Sequence, residues 1–600
     1  MKGIAIGLSN NSKEILKRLK KTEFVKDIYI AGSSKEDGKE NELIQVQKPR
    51  EILLKKWPKI DLIIFIGSIA ASIRIINPFL TSKDQDPGVI VIDNKCSKIV
   101  PLIGLHQSNT QNISCQIANL LGGEIIETNN SNDQSLLNLD AFGNQWGWKR
   151  SGKINDWSKL VIKQAKNEEI FCKQLSGNSL WKTSESAEII NQIDKKETEK
   201  PDSTFHVSIF ENHGTTWHPP VLWIGIGCER NTSKELIANS LNNLLESGNL
   251  SQQSIAGFAT IDIKKDEKGI LELSEEKNLP IKFFSKKDLS TIIVPNPSNV
   301  VQKEIGTPSV AEASCLLAAG EESKLLEEKR IFKNQSGAVT IAVAESKNQY
   351  NPTHGEIHII GSGPGDISFL TNNARKALSR CTVWIGYKMY LDLIKPLKRN
   401  DQVLIESKLT EEKERCSKAI KLAEEGIKVA LISSGESGFY GMAGLLLELL
   451  QKIKKEYRPY FEVHPGISSV QLAAAISGAP LMNDFCSVSL SDKLTPWPLI
   501  EKRIKGALMG DFVIALFNPQ SIERNWQLKS VIDICLQSRH GDTPVLLARQ
   551  VGRENQTKKF FTLNTIPFKE IDMLSIIIIG NSQTTLVDEI FLTPRGYLQN

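Results

Sequence analysis

Short aliphatic runs recur along this chain, and most of them empty into a turn of small residues and are followed by helical spacing. GIAIGL (3–8), DIYIAG (27–32), DLIIFIG (61–67) and GVIVID (88–93) open the series. Runs of this length without polar alternation suit strands buried on both faces, so a parallel sheet with helices on each side is the architecture they permit. Ile15, Leu16 and Leu19 mark a helix after the first strand, with Ser12 as its predicted cap, and ISCQIANLLG (113–122) reads as another. The theme returns in VLWIGIGCER (221–230), IAGFATIDI (255–263), IKFFS (281–285) and AVTIAVAE (338–345), with helices over 233–247 and 309–320. It returns again beyond residue 355 in IHIIG, TVWIGY, KVALISSG, YFEVHPG, DFVIALFN, PVLLARQ and MLSIIIIG.

At 600 residues the chain exceeds what one core supports. The pattern predicts a multidomain α/β protein: a first domain over 1–130, an irregular middle region and linker over 131–205, and a second α/β domain over 219–346. A linker over 347–355 then leads to a large section, 356–600, with two lobes at about 356–465 and 466–600. Trp146, Trp148, Trp157 and Trp181 imply some packing in the middle region.

Lysine and arginine total 74 against 69 acidic residues, a net charge of +5, which does not indicate a nucleic-acid binder. The most apolar stretch, Leu62 to Ala71, is too short to span a membrane and soon meets Arg74 and Pro78. Nine scattered cysteines include no CxxC pair, so neither a zinc site nor a disulfide framework is expected, and reduced thiols in the cytoplasm fit best.

The strand IHII (357–360) enters Gly361-Ser362-Gly363-Pro364-Gly365-Asp366. A glycine turn after a strand signals close backbone approach to a ligand. The dinucleotide fingerprint fits poorly: the third glycine comes four positions after the first, and Pro364 removes an amide. Thr371, as the predicted helix cap, sets the helix back from the loop, and no acidic residue ends TVWIGY to hold a ribose. Three more strands empty into small or polar residues: Ile432 to Ala443, Phe461 to Gln471, and Ala515 to Pro519. Ligands of α/β sheets collect at such strand ends.

These strings carry a resemblance. GSGPGD, SSGESGFYG and EVHPGISS occur in the order of the tetrapyrrole methyltransferase family, from Ile357 to Tyr597. SLSDKLTPW (489–497), DFVIALFNP, PVLLARQVGRENQ, DMLSIIIIGNSQT and TPRGY resemble the precorrin-3B C17-methyltransferases. The resemblance implies two α/β lobes with S-adenosylmethionine in the cleft between them, a tetrapyrrole substrate, and a family leaning toward homodimers. The cofactor would contact Gly361, Gly363, Pro364 and Gly365, then Ser433, Ser434 and Gly435, Ser468 and Ser469, Phe517 and Asn518, and Ala548. The implied reaction is methylation at C17 with ring contraction, in cobalamin biosynthesis. Alignment and exclusion of water are its main demands on the protein, and no metal is needed. Asp366 and Glu436 are the carboxylates best placed to position substrate or handle a proton; the alternative for each is a purely structural part in its loop. The family turn reads Gly-Asp-Pro where this chain has Gly435-Glu436-Ser437.

The first half resembles another cobalamin biosynthesis family, which opens the lactone of cobalt-precorrin-5A and releases acetaldehyde. The match lies in DLIIFIGSIAASIRIINPFLTSKDQDPGVIVID, IGIGCERNTSKELI, AGFATIDI and GTPSVAEASCLLAAG with Lys329. The family's Ser-Gly-His and Gly-Gly-Ala-Asn are replaced by Gly104-Leu105-His106-Gln107-Ser108-Asn109. His106, Glu312 and Lys329 are the candidates for a hydrolytic site. Against that stand a loop histidine, a solvated helix-face glutamate and a surface lysine. The half is either a hydrolase or a non-catalytic module that holds the macrocycle.

Overall fold

The computed structural model describes residues 2–31, 44–46, 48–81, 86–104, 110–126, 136–194, 201–211, 214–335, 337–521 and 523–597. The chain divides into two compact units, 1–134 and 135–600. Among the described residues no helix is long and apolar enough to cross a membrane.

The first unit is a seven-stranded sheet, ordered 44–46, 27–30, 3–7, 62–66, 88–92, 98–103, 124–125. All neighbours run parallel except Gly88–Ile92 against Lys98–Ile103. Alternate residues explain the unbroken aliphatic runs. Ala5, Ile28 and Ile64 pack under Leu16 and Ile117 on one face, while Ile4, Ile63 and Phe65 meet Ile52, Leu53 and Ile76 on the other. Ser12 does not cap its helix. A 3-10 turn, Asn10–Ser12, leads into the helix Lys13–Lys20, so Ser12 is already helical at φ −80°, ψ −8° and makes no side-chain capping bond.

The second unit carries the remaining sheets. Its first part differs from the irregular reading of 131–205. Strands 149–151, 170–174, 190–192, 204–207 and 216–218 form a five-stranded sheet with the helix Ile154–Ala165. These strands are three to five residues long and lack aliphatic runs. Their core is aromatic instead: Trp146, Trp148, Trp157, Trp181 and Trp217 are all buried around Phe142 and Phe205. That core is continuous with Ile357, Val383 and Leu446 of the C-terminal section.

The stretch read as a linker over 347–355 is packed as well. Gln349 is 3% exposed. Its amide oxygen accepts from Trp148 Nε1 (2.6 Å) and the Asn178 amide (3.1 Å), and its Nε2 donates to the carbonyls of Trp146 (2.8 Å) and Glu425 (3.0 Å). All four hydrogen-bonding positions of the side chain are used.

Residues 222–345 form a sheet ordered 281–284, 255–261, 222–228, 337–345, 324–334. The first three strands are parallel and the last two antiparallel. The C-terminal section then folds as two α/β lobes. The first has five parallel strands, ordered 403–407, 383–387, 428–433, 356–361, 460–464. The second is mixed, ordered 485–489, 513–517, 575–579, 544–549, 557–562.

Candidate active site

The first lobe's central strands end side by side, and their turns interlock through backbone alone. The Gly363 amide donates to the Gly435 carbonyl at 3.1 Å, and the Gly435 amide returns the bond to Gly363 at 2.8 Å. Ser362 adds an amide bond to the Ser433 carbonyl at 2.8 Å. A third turn closes on this pair: a Cβ at Gly466 would lie 2.0 Å from the Gly435 oxygen and 2.6 Å from the Gly361 oxygen. Only glycine permits that approach. Gly363 and Gly435 sit at φ +74° and +65°, in the left-handed region.

The far end of the first loop rests on the second lobe. A Cβ at Gly365 would lie 2.2 Å from the Gly552 oxygen, to which the Asp366 amide donates at 2.6 Å. Arg553 reaches back to the Pro364 carbonyl at 3.4 Å. On the opposite side, Phe439 meets Phe517 edge-on at 5.1 Å, and the Tyr440 hydroxyl donates to the Ser487 carbonyl at 3.0 Å. The lobes are thus tied at two places, through Asp366–Gly552 and through Phe439–Tyr440 with Phe517–Ser487.

Between these ties lies the cleft where the strand ends of the two lobes face one another. A Cβ at Gly435 would meet nothing nearer than the Ser468 Cα at 3.8 Å. Ser468 begins the helix Ser469–Ser477 through a capping box with Gln471, so the N-terminus of that helix faces the turn. Ser434 hydrogen-bonds the half-buried Tyr390, whose hydroxyl pKa is raised by burial, with Arg553 and Ser434 opposing. Asn518, at φ +50°, holds Ser489 through its side-chain amide at 3.0 Å. Two residues on, the Gln520 amide oxygen is buried with no protein partner.

Of the cofactor candidates, Gly361, Gly363, Pro364, Gly365, Ser433, Ser434, Gly435, Ser468, Ser469, Phe517 and Asn518 fall on the turns and strand ends around this cleft. Ala548 is different. It is fully buried inside the second sheet, laddered to Lys558 and Ile576. Gly466, Gly552, Arg553, Tyr390 and Tyr440 belong to the same surroundings and were not singled out from the sequence. Gly466 stood inside the EVHPGISS string, and Gly552-Arg553 inside PVLLARQVGRENQ, but neither has a spacing rule that marks it.

Both candidate carboxylates are engaged in their own turns. Asp366 accepts from the Ser368 amide at 2.7 Å, capping the 3-10 turn Ile367–Phe369, and the Ser368 side chain together with that amide holds its carboxyl below the usual range. Glu436 accepts from the Gly438 amide at 2.7 Å. Ser437, where the family has proline, is fully buried, and its carbonyl accepts from Ala443. A basin of about 700 Å³ adjoins the cleft, lined among others by Tyr387, Lys388, Met389, Glu406 and Lys408. Met389 links it to Arg553 at 3.5 Å.

The 222–345 sheet holds the other candidates. Glu312 is fully buried rather than solvated on a helix face. It accepts from Asn296 Nδ2 (3.0 Å), the Lys329 amide (3.2 Å) and Ser309 Oγ (3.4 Å). Lys329 is half-buried and bonds the Asn296 carbonyl. His106 lies outside the described residues.

Two α/β lobes that meet at strand ends around interlocked glycine turns define a methyltransferase of the two-lobed class. Residues 356–567 match the tetrapyrrole (corrin/porphyrin) methylases, and the chain belongs to that family. It is 44% identical over 241 residues to a probable cobalt-factor III C(17)-methyltransferase of Salmonella typhimurium strain LT2, covering 40% of this chain and 99% of that protein. Identity is also 44%, over 245 residues, to a cobalt-factor III methyltransferase of Priestia megaterium, covering 40% of this chain but only 45% of that protein. The chain thus spans under half the length of this second relative. Residues 51–132 and 222–344 match the N-terminal and C-terminal domains of cobalamin synthesis G. A cobalt-precorrin-5A hydrolase of Priestia megaterium is 27% identical over 365 residues, covering 56% of this chain and 93% of that protein.

Proposed function

We propose that the C-terminal section methylates C17 of a precorrin-3B-type macrocycle, with ring contraction, as a step of cobalamin biosynthesis. The observation that carries this reading is the interlock of Gly363, Gly435 and Gly466 at the strand ends, with the start of the helix Ser469–Ser477 packed beside Gly435. These strand ends suit S-adenosylmethionine, held by backbone of the 361–365 and 433–435 turns and by Ser468 at the helix start. The buried, unpartnered oxygen of Gln520 adds an acceptor beside Asn518. When bound, the cofactor supplies an activated methyl group on a sulfonium. The chain's residues align donor and ring and keep water out. Asp366 and Glu436 act first by fixing the shapes of their turns. The basin beside Met389 has the volume of a small-molecule site and would receive the macrocycle. Both relatives at 44% identity are named for cobalt-factor III, which favours a cobalt-loaded ring.

For the first half the reading is opening of the cobalt-precorrin-5A lactone. It rests on the buried Glu312 with its three donors, and on the hydrolase relative. The alternative is a module that holds the macrocycle without reacting. Acetaldehyde release by the full chain, lost in E312Q, supports hydrolysis; macrocycle binding without release supports the module. The site of action is the cytoplasm, where the free thiols stay reduced, and the assembly a homodimer. Incubation of the full chain with S-adenosylmethionine and cobalt-loaded or metal-free ring-expanded precursors, followed by mass spectrometry, tests the methyl transfer.

A further inference from the structure

The strands Glu356–Gly361 and Tyr460–His464 lie side by side and parallel, with His358 opposite Glu462 and Ile360 opposite His464. Residues 358, 462 and 464 therefore share one face of the sheet. His358 Nδ1 is 2.9 Å from His464 Nε2, and Glu462 Oε2 is 3.9 Å and 3.8 Å from these nitrogens. They form the one group among the described residues whose histidine, cysteine and carboxylate ligand atoms converge in this way.

The triangle has a physical meaning. A point equidistant from its three corners lies about 2.1 Å from each, the bond length of zinc to imidazole nitrogen and carboxylate oxygen. We propose that His358, His464 and Glu462 bind a divalent metal ion of the zinc class, with water completing the shell on the solvent side. The surroundings fit. His358 Nε2 lies 2.8 Å from Glu356 Oε2, and Glu356 also pairs with Lys428 and, at 3.6 Å, with Arg380. An ionised carboxylate only accepts, so Nε2 carries the ring proton and Nδ1 presents its lone pair to the ion. This carboxylate–histidine–metal arrangement is the usual outer support of a metal site. The nearby cations Lys428 and Arg380 are both engaged by Glu356, which limits their repulsion of an ion. The histidines are buried, whereas the Glu462 side chain is 47% exposed and leaves an entry path. Imidazole and carboxylate together select a borderline ion over magnesium or calcium.

The site stands apart from the methyl-transfer cleft but is wired to it. His358 precedes Gly361 by three residues and His464 precedes Gly466 by two, and these glycines touch. Thr371 fixes the intervening Pro465 carbonyl at 3.1 Å. A bound ion would brace the two strands just before their turns interlock, so its part is structural support.

The test uses the untagged full chain, stripped with a chelator and equilibrated with zinc at micromolar free concentration. Elemental analysis should find one equivalent in the wild type, lost in H464Q and E462Q. Cobalt(II) at the same site should give visible d–d bands of a low-coordinate nitrogen–oxygen centre, absent in E462Q. Glu462 is half-exposed, so E462Q decides the matter even where H464Q fails to fold. No stoichiometric uptake by the wild type, or uptake unchanged in E462Q, overturns the proposal and leaves His358–His464 as a hydrogen-bonded pair only.

Discussion

Gly363 and Gly435 exchange two backbone hydrogen bonds, 3.1 and 2.8 Å long, across the ends of neighbouring strands. Gly466 closes on them from the third strand, and the three turns set the width of the cleft. Substitutions here should therefore separate by geometry. G466A drives a methyl into two carbonyl oxygens, at 2.0 and 2.6 Å, and must push the turns apart. We expect S-adenosylmethionine affinity to fall at least about tenfold, equal to about 1.4 kcal/mol. G435A meets only ordinary van der Waals contact, so backbone strain at φ +65° is its main cost, about 1 kcal/mol in stability. Calorimetric titration and thermal unfolding of both variants check the contrast; equal effects on binding would argue against a cleft bounded by these turns.

Phe517 reaches from the second lobe to Phe439 and Tyr440 in the first, at 5.1 and 5.3 Å. F517A should loosen this tie and weaken cofactor binding about fivefold, in line with about 1 kcal/mol for an aromatic pair. Y440F keeps the ring contact and loses only the bond to Ser487, so its effect should be smaller. A dissociation constant unmoved by F517A would mean that the lobes are held without this contact.

Gln349 is a keystone between the tryptophan-rich sheet and the first methyltransferase lobe. Q349A strands the buried Trp148 indole N–H and should cost about 2–3 kcal/mol in urea unfolding. For the same reason a fragment cut at residue 355 should be less stable than one beginning at 136, because it exposes the face shared with Trp146 and Trp148. Equal midpoints for the two fragments would contradict the shared core.

Lys282 lies over Trp223 and Tyr350, 4.2 and 4.3 Å from the ring centres. Burial pushes its ammonium down from 10.5 to about 8, with Glu424 opposing. Between these two pH values the unfolded chain binds more protons than the folded one, so this group's contribution rises with pH through that window. The gain is up to about 3 kcal/mol, reduced by any cation–π attraction to the rings. Urea unfolding of wild type and K282M should show the wild type gaining relative to the variant from pH 8 to 10.5. A flat difference would indicate that the rings hold the charge fully.

The sequence revealed elements wherever burial imposed an unbroken aliphatic run. Gly3–Gly7, Leu62–Ile66, Val513–Phe517 and Ser575–Ile579 are legible for that reason. Lys324–Asn334 is not: it is a partly exposed strand with charges along its length, held by hairpin pairing with the next strand, Gly337–Glu345. The tryptophan-rich sheet hid behind short strands whose hydrophobic content sits in single aromatic side chains. Within the cleft, glycine turns were legible as turns, but which turns interlock was not, since Gly363–Gly435 and Gly365–Gly552 depend on strand order. His358 and Glu462 likewise met only through strand pairing, more than a hundred residues apart in sequence.

The most direct test of the central claim is transfer of an isotopically labelled methyl group from S-adenosylmethionine by the full chain. Offered a cobalt-loaded, ring-expanded precursor, the chain should yield a ring-contracted product carrying one labelled methyl at C17, with S-adenosylhomocysteine in equal amount. Binding of both ligands with no label in the macrocycle, by a chain whose G466A variant behaves identically, would contradict it.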